Sequence, residues 1–396
     1  MDSENTPRFS DRFEFIPGEN DLYSLLESYK KSGQDWIDLT VSNPTKVGLV
    51  YPREAILHSF QKPESMEYDP NPKGTINARK SIGNYYKEKG HMISEEDLFL
   101  TSSSSEAYSY LIKLLCNPGE EVLIPSPGYP LFEFLSLLDG VEFNSYKLDQ
   151  GSDWKIDFED LHSKITSKTK ILFLVSPNNP TGSLLAPEEF EKLKVISKTK
   201  KIALVLDEVF SDYLHEENPN KIDFFSTDFP MFVVNGVSKI LALPQMKLSW
   251  IHVGGPTNWK KECKERLEII ADTYLSVGTP IQLALPELFQ WRNMIQSQVL
   301  RRIHRNLQVL ESFDSSHPQI VYTSPKGGWY AVLQSESFLN DEEFSFRLLE
   351  KEKVLVHPGS MFGFKEDSGS IVISLISETE LFQSGLERIS RSLSLT

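Results

Sequence analysis

The sequence of 396 residues has little cysteine and no long hydrophobic run. Cys116 and Cys263, its two cysteines, form no CxxC motif and no disulfide framework, which argues against secretion and against a structural zinc site. No apolar run approaches the ~20 residues that a transmembrane helix needs, and the polar N-terminal stretch does not resemble a signal peptide. We therefore expect a cytoplasmic protein that has no metal site and does not span a membrane.

Basic side chains are fewer than acidic ones. The sequence has 41 lysine and arginine residues against 56 aspartate and glutamate residues, which gives a formal net charge of −15 at pH 7. An acidic surface repels nucleic acids and anionic membranes, so we expect neither as a partner. The hydrophobic fraction of 39% suits a soluble globular protein.

The chain is longer than one hydrophobic core usually requires, which predicts a large and a small domain. We predict that residues 1–44 form an N-terminal arm that also contributes to the small domain. The large domain is predicted over residues 45–285, and the remainder of the small domain over residues 286–396.

Continuous apolar runs alternate with helical stretches in the predicted large domain. Residues 171–175 and 202–206 are such runs, and residues 187–196 form a helical stretch between them. Runs of this kind are typical of parallel strands that are buried on both faces. The pattern predicts an α/β fold with a mostly parallel central sheet and helices on both faces, followed by a smaller α+β domain.

Polar segments follow these predicted strands directly. Ligands bind beyond the carboxyl ends of the strands in open α/β sheets, so we expect the segments to form one site. The residues concerned are Ser103, Ser104, Ser105, Tyr129, Asn179, Asp207, Ser238 and Lys239.

Two of these segments indicate a chemistry by themselves. The hydroxyls at residues 103–105 begin a predicted helix, where they suit either anion binding or simple capping, because Ser103 and Glu106 fit a capping box. Lys239 follows a buried strand, where desolvation lowers the pKa of an amine and makes it a usable nucleophile. Lys247 lies close enough along the chain for a loop to return a second cation to the same place.

Together, residues 38–390 resemble the fold-type I, class I/II pyridoxal-phosphate aminotransferases. The resemblance implies pyridoxal 5′-phosphate as cofactor, an amino donor and a 2-oxo acid as substrates, and a ping-pong reaction. Lys239, preceded by Ser238, resembles the lysine that holds the cofactor as an imine and later acts as a general base. Asp207 resembles the carboxylate that keeps the pyridine nitrogen protonated.

The resemblance extends to the rest of the cofactor site. Asn179 resembles the asparagine that hydrogen-bonds the phenolic oxygen, and Tyr129 resembles the aromatic residue that stacks on the ring. The serines at 103–105 correspond to the phosphate-binding helix start, where converging donors suit a dianion. Tyr68 resembles the tyrosine that reaches the phosphate of the partner subunit, which implies a homodimer.

Four positions depart from the family pattern. Phe210 stands where a tyrosine usually donates to the phenolic oxygen, and Gly236 stands where a phosphate-binding serine is frequent. Lys247 replaces an arginine, which gives a point charge instead of a bidentate fork. Val372 stands where the family has the arginine that binds the substrate carboxylate, and residues 352–387 contain no arginine at all.

Without this arginine, the sequence does not identify the substrate. Another cation could hold the carboxylate, and Lys46, Arg53 and Lys73 are loop candidates; alternatively, the substrate is an amine or an amino acid recognised through its side chain. Since a fold does not decide a reaction, elimination, decarboxylation or racemisation on the same cofactor remains an alternative to amino transfer. A catalytically inactive protein that binds the cofactor is a further alternative.

Overall fold

The structure is a computed structural model, and it describes residues 9–13, 20–216, 222–338, 340–365 and 368–393. No helix within these residues is long and apolar enough to cross a membrane. The strands are β1 Ile37–Asp38, β2 Leu98–Thr101, β3 Glu121–Ser126, β4 Glu142–Asp149, β5 Lys155–Ile156, β6 Thr169–Val175, β7 Ala203–Asp207, β8 Met231–Gly236, β9 Ser249–Gly254, β10 Val321–Tyr322, β11 Tyr330–Gln334, β12 Val354–Leu355, β13 His357–Pro358 and β14 Ser370–Ser374.

Helices precede, separate and follow these strands. They are α1 Asp21–Ser32, α2 Arg53–Ser59, α3 Ile76–Glu88, α4 Ser104–Leu115, α5 Leu131–Leu138, α6 Phe158–Lys164, α7 Pro187–Lys200, α8 Val237–Ile240, α9 Thr257–Tyr274, α10 Thr279–Leu288, α11 Arg292–Ser316, α12 Asp341–Arg347 and α13 Thr379–Leu393.

The main sheet has eight strands in the order β2-β9-β8-β7-β6-β3-β4-β5. The central strands from β8 to β4 run parallel, whereas β9 is antiparallel to both β8 and β2. The short edge strand β5 is also antiparallel to its neighbour. The predicted α/β fold with a mostly parallel sheet is therefore confirmed.

Both faces of the sheet are buried, as the continuous apolar runs predict. In β6, Leu172 and Leu174 belong to one hydrophobic cluster, and Ile171 and Phe173 belong to another. Because successive side chains of a strand point to opposite faces, the two clusters lie on the two sides of the sheet. The first cluster includes residues of α3, α7 and α10, and the second includes residues of α4 and α9.

A second sheet contains the four strands β10-β11-β14-β13, all antiparallel to their neighbours. The N-terminal strand β1 pairs with β12, so an early segment of the chain packs with the C-terminal region. The backbone N–H of Ser374 also donates to Leu39, at 2.6 Å, and the Ser374 hydroxyl donates to Val41, at 2.6 Å. The domain bounds at residues 44 and 285 stay predictions.

The parallel strands bring the predicted site segments to one edge of the sheet. α4, α8 and the loops after β3, β6 and β7 all begin where these strands end. Since β9 runs in the opposite direction, its first residue lies at the same edge, in register with the last residue of β8. The loop between β8 and β9 can therefore return Lys247 to the site.

Candidate active site

A cavity of about 290 Å³ opens at this edge of the sheet. Its walls include every residue that the sequence assigns to the cofactor site except Tyr68, whose side chain is exposed elsewhere. The lining residues are Ser42, Ser103, Ser104, Ser105, Tyr129, Val175, Asn179, Asp207, Val209, Phe210, Gly236, Ser238, Lys239, Pro244, Lys247, Ser249 and Tyr330.

The start of α4 forms one end of the cavity. Ser103 is the N-cap, and its hydroxyl accepts a hydrogen bond from the Glu106 N–H at 3.1 Å, as the capping-box hypothesis requires. The return bond differs, because the Glu106 carboxylate accepts from the N–H of Ser102, at 2.6 Å, and not from the cap residue. The helix start with its row of hydroxyls borders the cavity, so capping and anion binding are compatible here.

Gly236 and Ser249 occupy this end together. They are paired directly across β8 and β9, and a Cβ added to Gly236 would lie 2.2 Å from the Ser249 hydroxyl oxygen. Ser249 therefore fills the space that a side chain at position 236 would need. Nothing in the sequence analysis pointed to this serine, because the register between β8 and β9 is not visible in a single sequence.

Asp207 lies in the centre of the cavity wall at the end of β7, and it is only 4% exposed. One carboxylate oxygen accepts from the Val209 N–H at 2.9 Å, and the other accepts from the hydroxyl of Tyr108. Burial raises the pKa of Asp207, whereas these two hydrogen bonds and the nearby Lys239 amine oppose that rise.

Lys239 lies on α8, immediately after β8, and its backbone carbonyl accepts a hydrogen bond from the Tyr213 hydroxyl at 2.6 Å. Its amine lies 4.8 Å from the ring centre of Trp329 and 5.3 Å from that of Phe210. No carboxylate in the described residues forms an ion pair with it. Burial lowers the pKa of Lys239 to about 8, and the charge of Asp207 opposes this effect.

Asn179 lies in the loop after β6, and its side chain is 9% exposed. Its amide oxygen is buried and has no hydrogen-bond partner within the described part of the chain. The loop itself is held firmly, because the carbonyl of Gly182 accepts from the N–H groups of Lys326 and Gly327, at 3.0 and 3.1 Å. An unsatisfied buried amide at a fixed position indicates that a ligand supplies the missing partner.

Two lining residues come from distant parts of the chain. Tyr330 begins β11 and Ser42 precedes α2, and both side chains line the cavity. Sequence reasoning missed both, although the pattern Gly327-Gly328 before a strand could have indicated a close approach of the backbone to the site. They form the wall opposite the sheet edge, which is where a substrate would meet the lysine.

Val372 is fully buried in β14 and does not line the cavity itself. It pairs directly with Val332 on one side and with His357 on the other, on the sheet face that also carries Tyr330. Of the three alternative cations, Lys73 is held by Glu96 and Glu268, each at 3.2 Å. The cations in the lining are therefore Lys239 and Lys247 alone among the described residues.

Elsewhere in the described chain, a larger groove of about 710 Å³ lies between α11 and α13. It contains none of the residues that the sequence assigned to a site. Within the same described residues, no group of three or more His, Cys, Asp or Glu side chains could hold a metal ion.

A parallel sheet with a lysine and a carboxylate at its carboxyl edge defines a fold-type I enzyme. The model of the family "Aminotransferase class I and II" matches residues 34–389, so the chain belongs to this family and is an aminotransferase.

Similar proteins carry related names. The glutamate–pyruvate aminotransferase AlaA of Haemophilus influenzae is 25% identical over 373 residues, which cover 92% of each chain. The tyrosine aminotransferase of Mus musculus is 25% identical over 340 residues, or 83% of this chain and 75% of that protein. The structure of an alanine aminotransferase from Pyrococcus furiosus superposes with a TM-score of 0.89 at 25% identity, covering 98% of this chain and 100% of the other.

The family implies pyridoxal phosphate, and the residues of this chain fit it. The cofactor needs a nucleophilic amine, an acceptor for its ring nitrogen and donors for its phosphate. Lys239, Asp207 and the start of α4 offer these groups within one cavity. The unpartnered amide of Asn179 is consistent with a further contact to the ring.

The lowered pKa of Lys239 leads to a testable prediction. In the apoprotein, the neutral amine should predominate above about pH 8, where an ordinary lysine is still protonated. A water-soluble amine-acylating reagent in limited amount should therefore modify Lys239 with a rate that rises through a midpoint near pH 8, as followed by peptide mass spectrometry. Lys326, an exposed lysine beside Asp153, provides the comparison. Equal pH profiles at the two lysines would contradict the prediction.

Proposed function

We propose that Lys239 carries pyridoxal phosphate and that the enzyme transfers an amino group from an amino acid or amine to a 2-oxo acid. The observation that carries the proposal is the meeting of Lys239, Asp207 and the α4 start in one cavity. The bound cofactor would supply an electron sink that stabilises negative charge at the substrate carbon. The residues of the chain must hold it, orient it and move one proton.

Each residue then has one task. Asp207 accepts a hydrogen bond from the ring nitrogen and keeps that nitrogen protonated. Lys239 would hold the cofactor until a substrate amine replaces it, and its freed amine would then take the proton from the substrate carbon. Burial lowers the pKa of this amine to about 8 in the apoprotein. Tyr129 covers one face of the ring, and Asn179 bonds its phenolic oxygen. Since Phe210 has no hydroxyl, it offers only an apolar contact at that oxygen.

The phosphate is assigned to the other end of the cavity. The hydroxyls and free N–H groups of residues 103–105 converge there, and the helix dipole of α4 favours an anion. Lys247 adds a positive charge, and the hydroxyl of Ser249 replaces the one that Gly236 lacks. Ser238 precedes the lysine and completes this set of lining residues.

The relatives narrow the reaction class. The three proteins named above are a glutamate–pyruvate aminotransferase, a tyrosine aminotransferase and an alanine aminotransferase. We therefore propose amino acids with a 2-oxo acid acceptor as the first substrates to try, ahead of elimination, decarboxylation or racemisation. A cytoplasmic location stays a prediction from the composition of the chain.

The decisive test follows the visible absorbance of the holoenzyme in single turnovers with a panel of amino acids and amines. A donor should abolish the absorbance, and a 2-oxo acid should restore it with formation of the matching amino acid. Lys239→Ala should show neither change, and borohydride should fix the cofactor to Lys239 in the wild type alone. Loss of absorbance without recovery by any 2-oxo acid would instead favour another reaction, and a borohydride adduct on a different lysine would refute the assignment.

The presence of valine at position 372 bears on how the enzyme binds a substrate carboxylate. The wall beyond Lys239 contains Tyr330 and Ser42, and no arginine lines the cavity within the described residues. A bidentate contact between arginine and carboxylate contributes about 1.5–3 kcal/mol, or about 10- to 150-fold in binding. We propose that the enzyme does not obtain this contribution in the family's usual way.

This proposal is tested by comparing an α-amino acid with the amine that its decarboxylation would give. The wild type should discriminate between them by less than about tenfold in kcat/KM, because it lacks the charge-assisted contact. In Val372→Arg, the new guanidinium starts from the sheet face that also carries the cavity-lining Tyr330, and it should shift the preference to the amino acid. Val372→Met serves as the size-matched control. A strong wild-type preference for the amino acid that Val372→Arg reduces would show that the carboxylate already has a partner.

An exposed apolar surface supports the proposal of a homodimer. Met66 and Tyr68 are 90% and 70% exposed, and Tyr274 and Leu275 are 51% and 65% exposed. Hydrogen bonds from Ser276 and Thr279 to the backbone of residues 69 and 67 hold the two segments side by side. We propose that a second copy covers this surface and that Tyr68 reaches the phosphate in the neighbouring cavity.

Sedimentation equilibrium should therefore find a dimer. Tyr68→Phe should remain dimeric but should bind pyridoxal phosphate about tenfold more weakly, because a hydrogen bond to a charged group is lost. Tyr274→Phe, which removes a hydroxyl from the same surface, should bind the cofactor normally. A fully active monomer would refute the shared site.

A further inference from the structure

Tyr108 is a buried residue for which we infer a further role in the site. It lies on the buried side of α4 with no exposed surface, packed against Phe132 and Phe173. Its position among apolar neighbours resembles that of an ordinary core residue. Yet its hydroxyl donates to the carboxylate of Asp207.

This hydrogen bond joins one end of the cavity to the centre of its wall. Tyr108 lies on α4, whose start borders the proposed phosphate position, and Asp207 ends β7. The Tyr108 hydroxyl connects the two elements directly. It therefore fixes the carboxylate relative to α4 as well as to its own strand.

The charged groups around Asp207 are few. The Val209 N–H faces one oxygen, the Tyr108 hydroxyl faces the other, and the amine of Lys239 on α8 is the nearby cation. Burial raises the pKa of the hydroxyl of Tyr129, from the loop after β3, to about 12, and the nearby charge of Asp207 adds to this effect. A buried carboxylate with so little compensation tends to take up a proton, because burial disfavours its charged form.

We propose that Tyr108 is a positioning residue that keeps Asp207 ionised and aimed at the ring nitrogen of the cofactor. A neutral carboxylic acid in that place would carry no negative charge to stabilise a protonated ring nitrogen. Only the part of this role that concerns the ring nitrogen rests on the proposed function. The ionisation of Asp207 is a property of the apoprotein.

Tyr108→Phe removes a single oxygen atom and keeps the ring that packs on Phe132. The matched control is Tyr146→Phe, because Tyr146, on β4, is also almost fully buried and its hydroxyl donates to the Phe173 carbonyl at 2.8 Å instead of to a carboxylate. Circular dichroism checks that both variants fold.

The first measurement is the pKa of Asp207 in the apoprotein, obtained from carboxyl-¹³C NMR of aspartate-labelled samples and assigned with Asp207→Asn. Tyr108→Phe should raise this pKa by about one to two units, since a hydrogen bond to the charged form is lost. Tyr146→Phe should leave it unchanged. An unchanged pKa in Tyr108→Phe would overturn the proposal, whatever reaction the enzyme performs.

The second measurement is cofactor affinity. Tyr108→Phe should bind pyridoxal phosphate about tenfold to a hundredfold more weakly, and the loss should grow as the pH falls through the raised pKa of Asp207, because the neutral acid then predominates. An analogue in which carbon replaces the ring nitrogen should bind both proteins equally. Equal losses for cofactor and analogue would mean that Tyr108 only supports the fold, which would overturn its role toward the nitrogen. Failure of the wild type to bind pyridoxal phosphate would refute the proposed function and leave the first measurement to decide on Asp207.

Discussion

The arrangement of the site depends on the hydrogen bonds that the buried carboxylate of Asp207 accepts. An ionised carboxylate inside a protein is costly unless donors surround it, and here a backbone N–H and a tyrosine hydroxyl are in place without any bound ligand. Burial in the same cavity lowers the pKa of Lys239. Burial favours the neutral amine of Lys239, which suits a base, but it also favours a neutral Asp207. The hydrogen bonds from Val209 and Tyr108 oppose this second effect and favour the carboxylate.

The cavity results from the directions of the strands in the main sheet. Parallel strands end together at one edge, and β9, which runs antiparallel to β8, begins at that edge. The serine at its start can therefore take the space opposite Gly236. One departure from the family pattern thus has a local explanation, because the glycine makes room for Ser249.

Much of this could be predicted from the sequence, since the strand runs and the polar segments after them are local signals. Asp207 ends an apolar run, and Lys239, Asn179 and the serines at the start of α4 lie on loops or helix starts shortly after such runs. The remainder depends on distant contacts. Tyr330 and Ser42 line the same cavity across almost 290 positions of sequence, and the pairing of Gly236 with Ser249 requires a strand register. Tyr108 looks like a core residue, because a hydroxyl among apolar neighbours gives no signal until its partner is known.

The hydrogen bonds of Gly182 to Lys326 and Gly327 have a consequence for how such an enzyme can diversify. The cofactor loop is tied to the chain just before β11, and neither glycine has room for a side chain, since a Cβ at Gly182 would lie 2.3 Å from Pro325 and one at Gly327 would lie 2.7 Å from Pro177. Ser42 and Tyr330, in contrast, present side chains to the cavity. Substitutions at these two positions can change the shape of the cavity, whereas a side chain at Gly182 or Gly327 would collide with a proline.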